Sequence, residues 1–474
     1  MSVSASKKFE NFSEWFDDVI FRARIVDNRF PVKGFSVYLE NGAFMLDVIK
    51  KLLEDELEKT GHKKMYFPLV TSEELFRKEA EHIKGFSKEV FVIDQGSGEQ
   101  KLIIRPTSET IMYPMFKLWI RSHADLPLKV HQSVNVYRRE TKATRALYRV
   151  REIPWNEAHT VHENAAEAEK QVREAMQIYE TVLKKLCIGY IILKRPDFDK
   201  FAGAVYSIAF DAWNPDGKVN QVATIHNLGR NFAKAYEIEF EKRDGSRGTP
   251  YQTCYGFGFS RVIAAIIAQH GDDRGLVLPP VVAPTQVVII PILFKGQEKQ
   301  ILDYASKVRD MLAGRWRTVL DDRDDITPGE KFYHWELMGV PVRVEIGPKE
   351  VVESSVTLAR RDTLERVKVS LDELVGKVDE LMRAIESNLL ERSRRMMLSV
   401  ISDANNMEEI KKILKERRIA RINWCGSIEC AEKLKDEVGG EVRGERYDIV
   451  EKPFGPCAVR RGEARSVVYV ARSY

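Results

Sequence analysis

The sequence predicts an α/β protein whose first and largest part is an α+β unit on a mixed, mainly antiparallel sheet. Three observations lead there. Between residues 64 and 259, several strand patterns accompany a few helical ones without the long regular alternation of an α/β barrel. After the proline-marked crossing LVLPPVVAPTQ (276–286), strand and helix patterns alternate over roughly a hundred residues, as in a compact α/β domain. A last stretch, NNMEEIKKILKERRIARINWCGSIECAEKLK, reads as a small C-terminal α/β unit. The expected boundaries are 1–281, 282–385 and 386–474.

The elements follow in order. Residues 43–60 place Met45, Val48, Ile49, Leu52, Leu53 and Leu57 on one helical face, with Gly61 as a stop. KMYFPLV (64–70) reads as a strand that Pro68 confines to an edge or an end. Thr71 and Glu74 have capping-box spacing for the next helix. LIIRP (102–106) and VHQSVNVY (130–137) read as strands, and Ala165 to Leu186 as a long helix. IAFDAW, AKAYEIEFEK and TPYQTCYGFGF continue the strand-rich reading, and SRVIAAIIAQHGDD (260–273) is an apolar helix stopped by Gly271. Beyond the crossing, VVIIPI (287–292) has the continuous apolar run of a strand buried on both faces. Helices over 296–313 and 328–339 alternate with RTVL, PVRVEIG and SSVTLARRDT, and a helix from Leu371 to about Arg395 leads into the last unit.

Composition sets wide limits. A chain of 474 residues exceeds one core, and its 44% hydrophobic content fills several. No apolar run is long enough to cross a bilayer, and the start MSVSASKKFENFSEWFDD lacks a signal core, so a cytoplasmic protein is expected. Five cysteines make no disulfide framework, and Cys187 and Cys254 read as small buried apolar residues. Lys+Arg 75 against Asp+Glu 71 leaves +4, which neither excludes nor demands nucleic acid.

Chemistry concentrates in YRRETKATRALYRVREIPWNEAHT (137–160). Arg138, Arg139, Arg145, Arg149 and Arg151 stand among Glu140, Glu152 and Glu157, with Trp155 and His159 close behind. Guanidinium groups grip phosphate in a planar fork and keep their charge. Strand alternation would send Arg149 and Arg151 to one face, and Glu140 could orient a guanidinium or contact a purine amine. A solvated, salt-bridged hairpin is the plain alternative, but it explains poorly why Arg138 and Arg139 follow the apolar-patterned VNVY. RPTSETIMYP (105–114) projects Thr107 and Glu109 to one side, where they could hold a small ammonium. GFGFSR (256–261) brings a backbone with little bulk, then Arg261, into a helix start, and lacks the spacing of a dinucleotide fingerprint.

Together these stretches resemble the three motifs of class II aminoacyl-tRNA synthetases: Pro68 after an amphipathic helix, the Arg138–Glu140 hairpin, and GFGFSR. RPTSET, R-x-E-T-K, R-x-R-E with W-x-E-x-H, FAGAVYSIAFDA, T-x-H-N-L-G, HGDDRGLVLPP, DDRD and GVPVRVEIGPKE, in order along nearly the whole chain, are similar to the blocks of prolyl-tRNA synthetases of archaeal and eukaryotic type. The resemblance implies activation of proline by ATP and transfer of the prolyl group to tRNA(Pro), with Mg2+ accompanying the nucleotide. It implies Arg138 at the α-phosphate and the proline carboxylate, Glu140 at adenine, Arg149 and Arg261 at the outer phosphates, and Gln221 and Thr224 at ATP. Thr107 and Glu109 match residues that take the imino group; Phe86, Glu89, Trp155, Glu157, His159 and His226 match residues lining the proline pocket. Taken singly, His159 and Trp155 could equally be core and Glu157 a solvated charge. The hairpin departs from the family in Val150 and in its aromatic positions, and the third motif is one residue longer than usual.

In the middle domain the resemblance implies Glu336, Arg343 and Lys349 at the anticodon bases; a solvated charged rim is the rival reading. In the last unit, Cys425, Cys430 and Cys457 match three thiolates of a family zinc site whose fourth position is Arg460 here. Structural zinc normally takes four ligands. A carboxylate ligand, an empty site, or packing in place of metal all remain open. A synthetase-like RNA-binding or polymerase-accessory protein is the second class of reading; it predicts decay at Arg138, Glu140 or Arg261, and all three are present. A threonine, glycine or histidine synthetase is opposed by RPTSET and W-x-E-x-H. The first motif's usual place at a two-fold axis implies a homodimer. No inserted editing domain fits between Thr160 and Thr249, so misactivation of cysteine and, more weakly, alanine is expected without clearance.

Overall fold

The computed structural model describes residues 7–80, 90–96 and 99–474, the side chains of 78–80 excepted. Among them an 11-stranded sheet carries most of the architecture. Its order is Ile401–Ala404, Ile419–Trp424, Ser466–Ser473, Glu441–Arg446, Ile191–Lys194, Tyr206–Trp213, Lys218–Gly229, Tyr251–Gly258, Glu152–His162, Leu128–Tyr137 and Lys63–Lys64. Neighbours are antiparallel except the two outermost pairs, Ile401–Ala404 with Ile419–Trp424 and Leu128–Tyr137 with Lys63–Lys64. The predicted mixed, mainly antiparallel sheet is therefore present, and the C-terminal strands extend it through the pairing of Glu445 with Lys194 and Arg446 with Leu193.

One face is covered by helices Phe12–Arg22, Glu40–Lys59, Ala165–Lys185 and Phe259–His270. Each shows the one-sided apolar spacing expected of a helix on a sheet, except Phe259–His270, which is buried at every position but Arg261. The other face receives helix Glu109–Trp119 and the short helix Asn231–Ala235 over a smaller apolar cluster around Tyr113, Phe116 and Phe232. Because strand side chains alternate, Ala158, Tyr255 and Phe257 enter the first core, whereas Val161 and Cys254 face the second. That second face also carries the site.

Strands between Val287 and Ser370 form a separate five-stranded sheet, ordered Thr318–Leu320, Val287–Pro291, Val342–Ile346, Ser355–Arg360, Arg366–Ser370. The first three strands are parallel and the others antiparallel. Val287–Pro291 is buried at all five positions, as its unbroken apolar run required. The helix Pro328–Met338 has a complete local signature. Thr327 and Glu330 form a capping box, Pro328 opens the helix, and Gly339 at φ 72° closes it in the left-handed region.

Four local readings need correction. KMYFPLV is not one strand. Only Lys63–Lys64 and Val70–Ser72 are paired, and the chain between them crosses from one sheet to another around Pro68. The cap of helix Glu73–Ala80 is Ser72, whose Oγ accepts from the Leu75 amide at 3.2 Å; Thr71 is committed to the preceding strand. In AKAYEIEFEK the alternating Tyr236, Ile238 and Phe240 are buried as a strand would bury them. The backbone up to Ile238 is nonetheless a helix end, turned by Glu237 at φ 53°, with the Ile238 amide donating to the Ala233 carbonyl at 2.8 Å, and only Phe240–Glu241 is a strand, paired with Arg247–Gly248. Arg149 and Arg151 precede strand Glu152–His162 rather than alternating along it, and both converge on Glu140.

Candidate active site

A cavity of about 500 Å³ opens on the second face of the large sheet. Its floor is made by strands Glu152–His162, Tyr251–Gly258 and Lys218–Gly229, whose register sets Trp155 opposite Gly258, Glu157 opposite Gly256 and His159 opposite Cys254. Period-2 alternation puts Trp155, Glu157 and His159 on one face. Gly256 leaves room there, since a Cβ would press on the Trp155 ring at 3.3 Å.

At one end lies a buried carboxylate network. The Ser108 hydroxyl, the Ser108 amide (3.2 Å) and the Gln132 amide group (2.8 Å) all donate to Glu157, and His159 Nε2 stands 3.4 Å from it. Burial alone would raise the Glu157 pKa; the hydrogen bonds from His159, Ser108 and Gln132 outweigh it and hold the group below its ordinary value. Glu109, opening the helix Glu109–Trp119, accepts from the Thr107 hydroxyl. Its pKa moves the opposite way, raised by burial and then by the Glu157 charge. Two neighbouring carboxyls are thus driven toward different protonation states. His226 is stacked on Phe201 at 4.7 Å and bonded to Ser207 Oγ at 2.7 Å; burial, then His159 and Arg195, push it down to about 3, so the ring is neutral at pH 7.

At the other end positive charge accumulates. Arg138 donates to the Pro106 carbonyl at 3.1 Å and lies 5.4 Å over the Trp155 ring. Arg261, in the first turn of helix Phe259–His270, donates to the carbonyls of Tyr148 (3.0 Å) and Gln221 (3.1 Å). Burial, followed by the charges of Arg138, Arg149 and Arg443, lowers its pKa to about 10. A guanidinium depressed by its own neighbours marks a site short of negative charge, which fits the phosphates of a nucleotide. Arg149 faces Glu140 at 3.6 Å, beside the cavity.

The structure therefore brings Thr107, Glu109, Arg138, Trp155, Glu157, His159, Gln221, Thr224, His226 and Arg261 into one cavity wall. Glu140 and Arg149 sit on the adjoining hairpin, and Phe86 and Glu89 lie outside the described residues. The sequence reading missed Arg195, Arg443 and Tyr474, which also line the cavity. Arg195 holds Gln221 Oε1 at 2.6 Å, and Tyr474 stacks on Tyr148 with ring centroids 4.0 Å apart. The one available signal was Arg195 itself, the second of two charges, after Lys194, that follow the apolar run IIL.

Elsewhere, Glu336 and Arg343 meet at 3.1 Å, and Arg274 binds the second Glu336 oxygen at 3.0 Å; Lys349 is exposed on the next helix, Pro348–Val352. Cys425, Cys430 and Cys457 bring three buried sulfurs within 4.8 Å of one another, the first two 3.5 Å apart. Among the described residues no fourth cysteine, histidine or carboxylate joins them, and Arg460 is exposed. That set does not fit a four-coordinate structural zinc.

Three family profiles cover most of the chain. The tRNA synthetase class II core domain (G, H, P, S and T) matches residues 91–270, the anticodon binding domain 286–381, and the prolyl-tRNA synthetase C-terminal domain 407–474. The proline–tRNA ligase of Pyrococcus abyssi is 48% identical over 473 residues, covering 98% of each chain. The Giardia lamblia prolyl-tRNA synthetase in complex with prolyl-adenylate superposes with a TM-score of 0.96 at 34% identity over 100% of both chains. The Cryptosporidium parvum enzyme complexed with halofuginone and AMPPNP gives 0.93 at 30%, over 100% of this chain and 99% of that one. With its carboxylate-and-arginine cavity on this fold and this identity along its whole length, the chain belongs to the prolyl-tRNA synthetase family.

Proposed function

We propose that the chain activates L-proline with ATP and transfers the prolyl group to the 3′ end of tRNA(Pro). The observation that carries the reading is the meeting of two opposite electrostatic ends in one cavity. Buried Glu109 and Glu157 suit a secondary ammonium, and the Arg138–Arg261 end suits phosphate. In the first half-reaction a proline carboxylate oxygen bonds to the α-phosphorus and the bond to the pyrophosphate leaving group breaks. Thr107 and Glu109 hold the imino group, with Trp155, Glu157, His159 and His226 shaping the ring pocket. Arg138 spans the carboxylate and the α-phosphate, where charge grows in the transition state. Arg149 and Arg261 take the outer phosphates, Gln221 and Thr224 the nucleotide, and Glu140 the adenine. The cavity carboxylates Glu109 and Glu157 belong to the amino-acid end, and Asp199 lies beside Arg195. Mg2+ would therefore be held chiefly by the phosphates it accompanies, where it would supply charge neutralisation.

We assign activation to residues 1–281, anticodon reading to 282–385, and a supporting C-terminal unit to 386–474. Exposed Tyr66 and Leu69, flanking Pro68, support a two-fold interface and a homodimer. Among the described residues no helix is long and apolar enough to cross a membrane, and we place the enzyme in the cytoplasm.

The expected outcomes are specific. Arg138→Ala lowers proline-dependent ATP–pyrophosphate exchange by about a hundredfold or more; near-normal exchange in the folded variant rejects the role of Arg138. Glu336→Ala and Arg343→Ala weaken tRNA charging by about 1–3 kcal/mol while leaving exchange intact; equal loss in both assays removes the anticodon assignment. Protein purified without chelator contains well under one zinc per chain, and a full equivalent lost on Cys425→Ser overturns that expectation. Light scattering gives the mass of a dimer; an active single chain would contradict the interface. Cysteine, and more weakly alanine, support exchange, because a smaller side chain forfeits only about 1–3 kcal/mol. Rapid enzyme-dependent release of alanine from mischarged tRNA(Pro) would reveal an editing site in this chain.

A further inference from the structure

Inside the cavity, one group of side chains has a chemistry that proline activation does not require. A carboxylate oxygen of Glu109, a ring nitrogen of His159 and the sulfur of Cys254 lie within 4.8 Å of one another. All three residues line the cavity, and none is more than 4% exposed. The fold fixes the set from two directions. His159 and Cys254 are Cα partners on adjacent strands, and Glu109 is delivered by the first turn of the helix Glu109–Trp119.

Thiolate, imidazole and carboxylate together are a donor set for a borderline-soft ion such as Zn2+ or Co2+, and a poor one for Mg2+ or Ca2+, which want oxygen throughout. The surroundings suit a ligand histidine. Tyr113 Oη lies 3.0 Å from His159 Nδ1, which fixes the ring, and Nε2 is the ligand nitrogen, exchanging its long 3.4 Å contact with Glu157 for the ion. A ring held at one nitrogen by a neighbouring polar group is the usual support of a metal-bound imidazole. Three protein donors with an open cavity beside them form an accessible site, unlike the closed four-ligand sets of structural zinc.

We propose that, in the absence of amino acid, the pocket takes one Zn2+ or Co2+ ion on Glu109, His159 and Cys254, and that this ion excludes proline. Binding releases the Cys254 thiol proton to solvent as the thiolate joins the metal. The exclusion rests on the reading of this pocket as the proline site; the metal site itself does not.

The test is a Co2+ titration of chelator-treated full-length protein, followed by its near-ultraviolet thiolate-to-cobalt absorption. The wild type and Cys254→Ser both keep the C-terminal thiol cluster, so their difference isolates the cavity. The expected result is a component present in the wild type, absent in Cys254→Ser and removed by L-proline. D-proline, which chelates free cobalt equally well, leaves it in place. In pyrophosphate exchange, zinc raises the apparent KM for proline at unchanged kcat. Cys254→Ser weakens that inhibition by about tenfold or more, since even supporting contacts are worth that much in metal affinity. Identical spectra for the two proteins, together with no response to proline, overturn the proposal. A component that depends on Cys254 but ignores L-proline sustains the metal site and removes the proline reading of the pocket. If Cys254→Ser does not fold, the response of the wild-type spectrum to L- against D-proline decides alone.

Discussion

Asp211, wholly buried, is held between two guanidinium groups from distant parts of the chain, and the cavity depends on that contact. Arg195 donates to it at 2.8 and 3.2 Å, and Arg443 at 2.9 Å. Burial opposes the charge, but both arginines together hold the carboxyl below its ordinary value. Removing one partner of such a buried group typically costs about 3–5 kcal/mol, because the other charge is stranded. Here the contact also has geometric consequences. Arg443 comes from strand Glu441–Arg446, so the bridge ties the C-terminal strands to the sheet beside Ile191–Lys194. Arg195, once oriented, presents one further N–H to the Arg443 carbonyl and another to Gln221 Oε1, each at 2.6 Å. The last strand, Ser466–Ser473, runs parallel to the start of Lys218–Gly229 and carries Tyr474 to the cavity edge.

Two further carboxylates balance the bridge, Asp199 at 3.9 Å from Arg195 and Glu441 at 3.3 Å from Arg443, so the surplus of positive charge lies at Arg261, beside Arg138 and Arg149. Burial first, and then like charges placed close where water screens them little, lower the pKa of Arg261. Such a site is organised for an anion before the anion arrives, so little reorganisation is needed when charge develops on phosphorus. The amino-acid end inverts the pattern. Glu157 is given its donors in advance, whereas Glu109 is left with a raised pKa that a substrate cation would relieve.

Local periodicity made most of the fold legible. The helix at 259–270 and the buried strand at 287–291 follow from spacing alone, whereas Trp155, Glu157 and His159 are reached through the resemblance, and strand Glu152–His162 puts them on one face. Arg138, Glu140 and Arg261 stood out because unusual charge sat in short, ordered motifs. Arg443 did not, because its meaning comes from a partner 232 residues away, and nothing in EVRGER announces a buried acid elsewhere. Tyr474 is a similar case: its role depends on which strand the C-terminus joins. The failures at 64–70 and 233–242 share another cause. Both segments carry apolar residues at strand-like intervals, yet a proline crossing in one and a left-handed residue in the other keep all but their ends out of pairing, Lys64 and Val70 in the first and Phe240–Glu241 in the second. Hydrophobic pattern records which residues go inside; it does not record the path the backbone takes to put them there.

The helix Phe259–His270 joins the two halves of the chemistry by a short route. Its first turn carries Arg261 into the cavity, and its end is followed at once by Asp272, which takes both terminal nitrogens of Arg361 at 2.6 and 2.7 Å. Arg361 also donates to the Glu336 carbonyl at 3.0 Å, and Arg274 binds the Glu336 carboxylate. From Arg261 to the residue proposed to read the anticodon, the chain thus passes through one helix and two charged contacts. A helix buried on nearly every side has no room to bend or slide independently of its neighbours. The pairing at Asp272 is correspondingly directional, a two-nitrogen fork on one carboxylate, so it fixes orientation as well as distance. The relative placement of the two sites is therefore set by rigid packing and a bidentate joint rather than by the exposed surfaces between them.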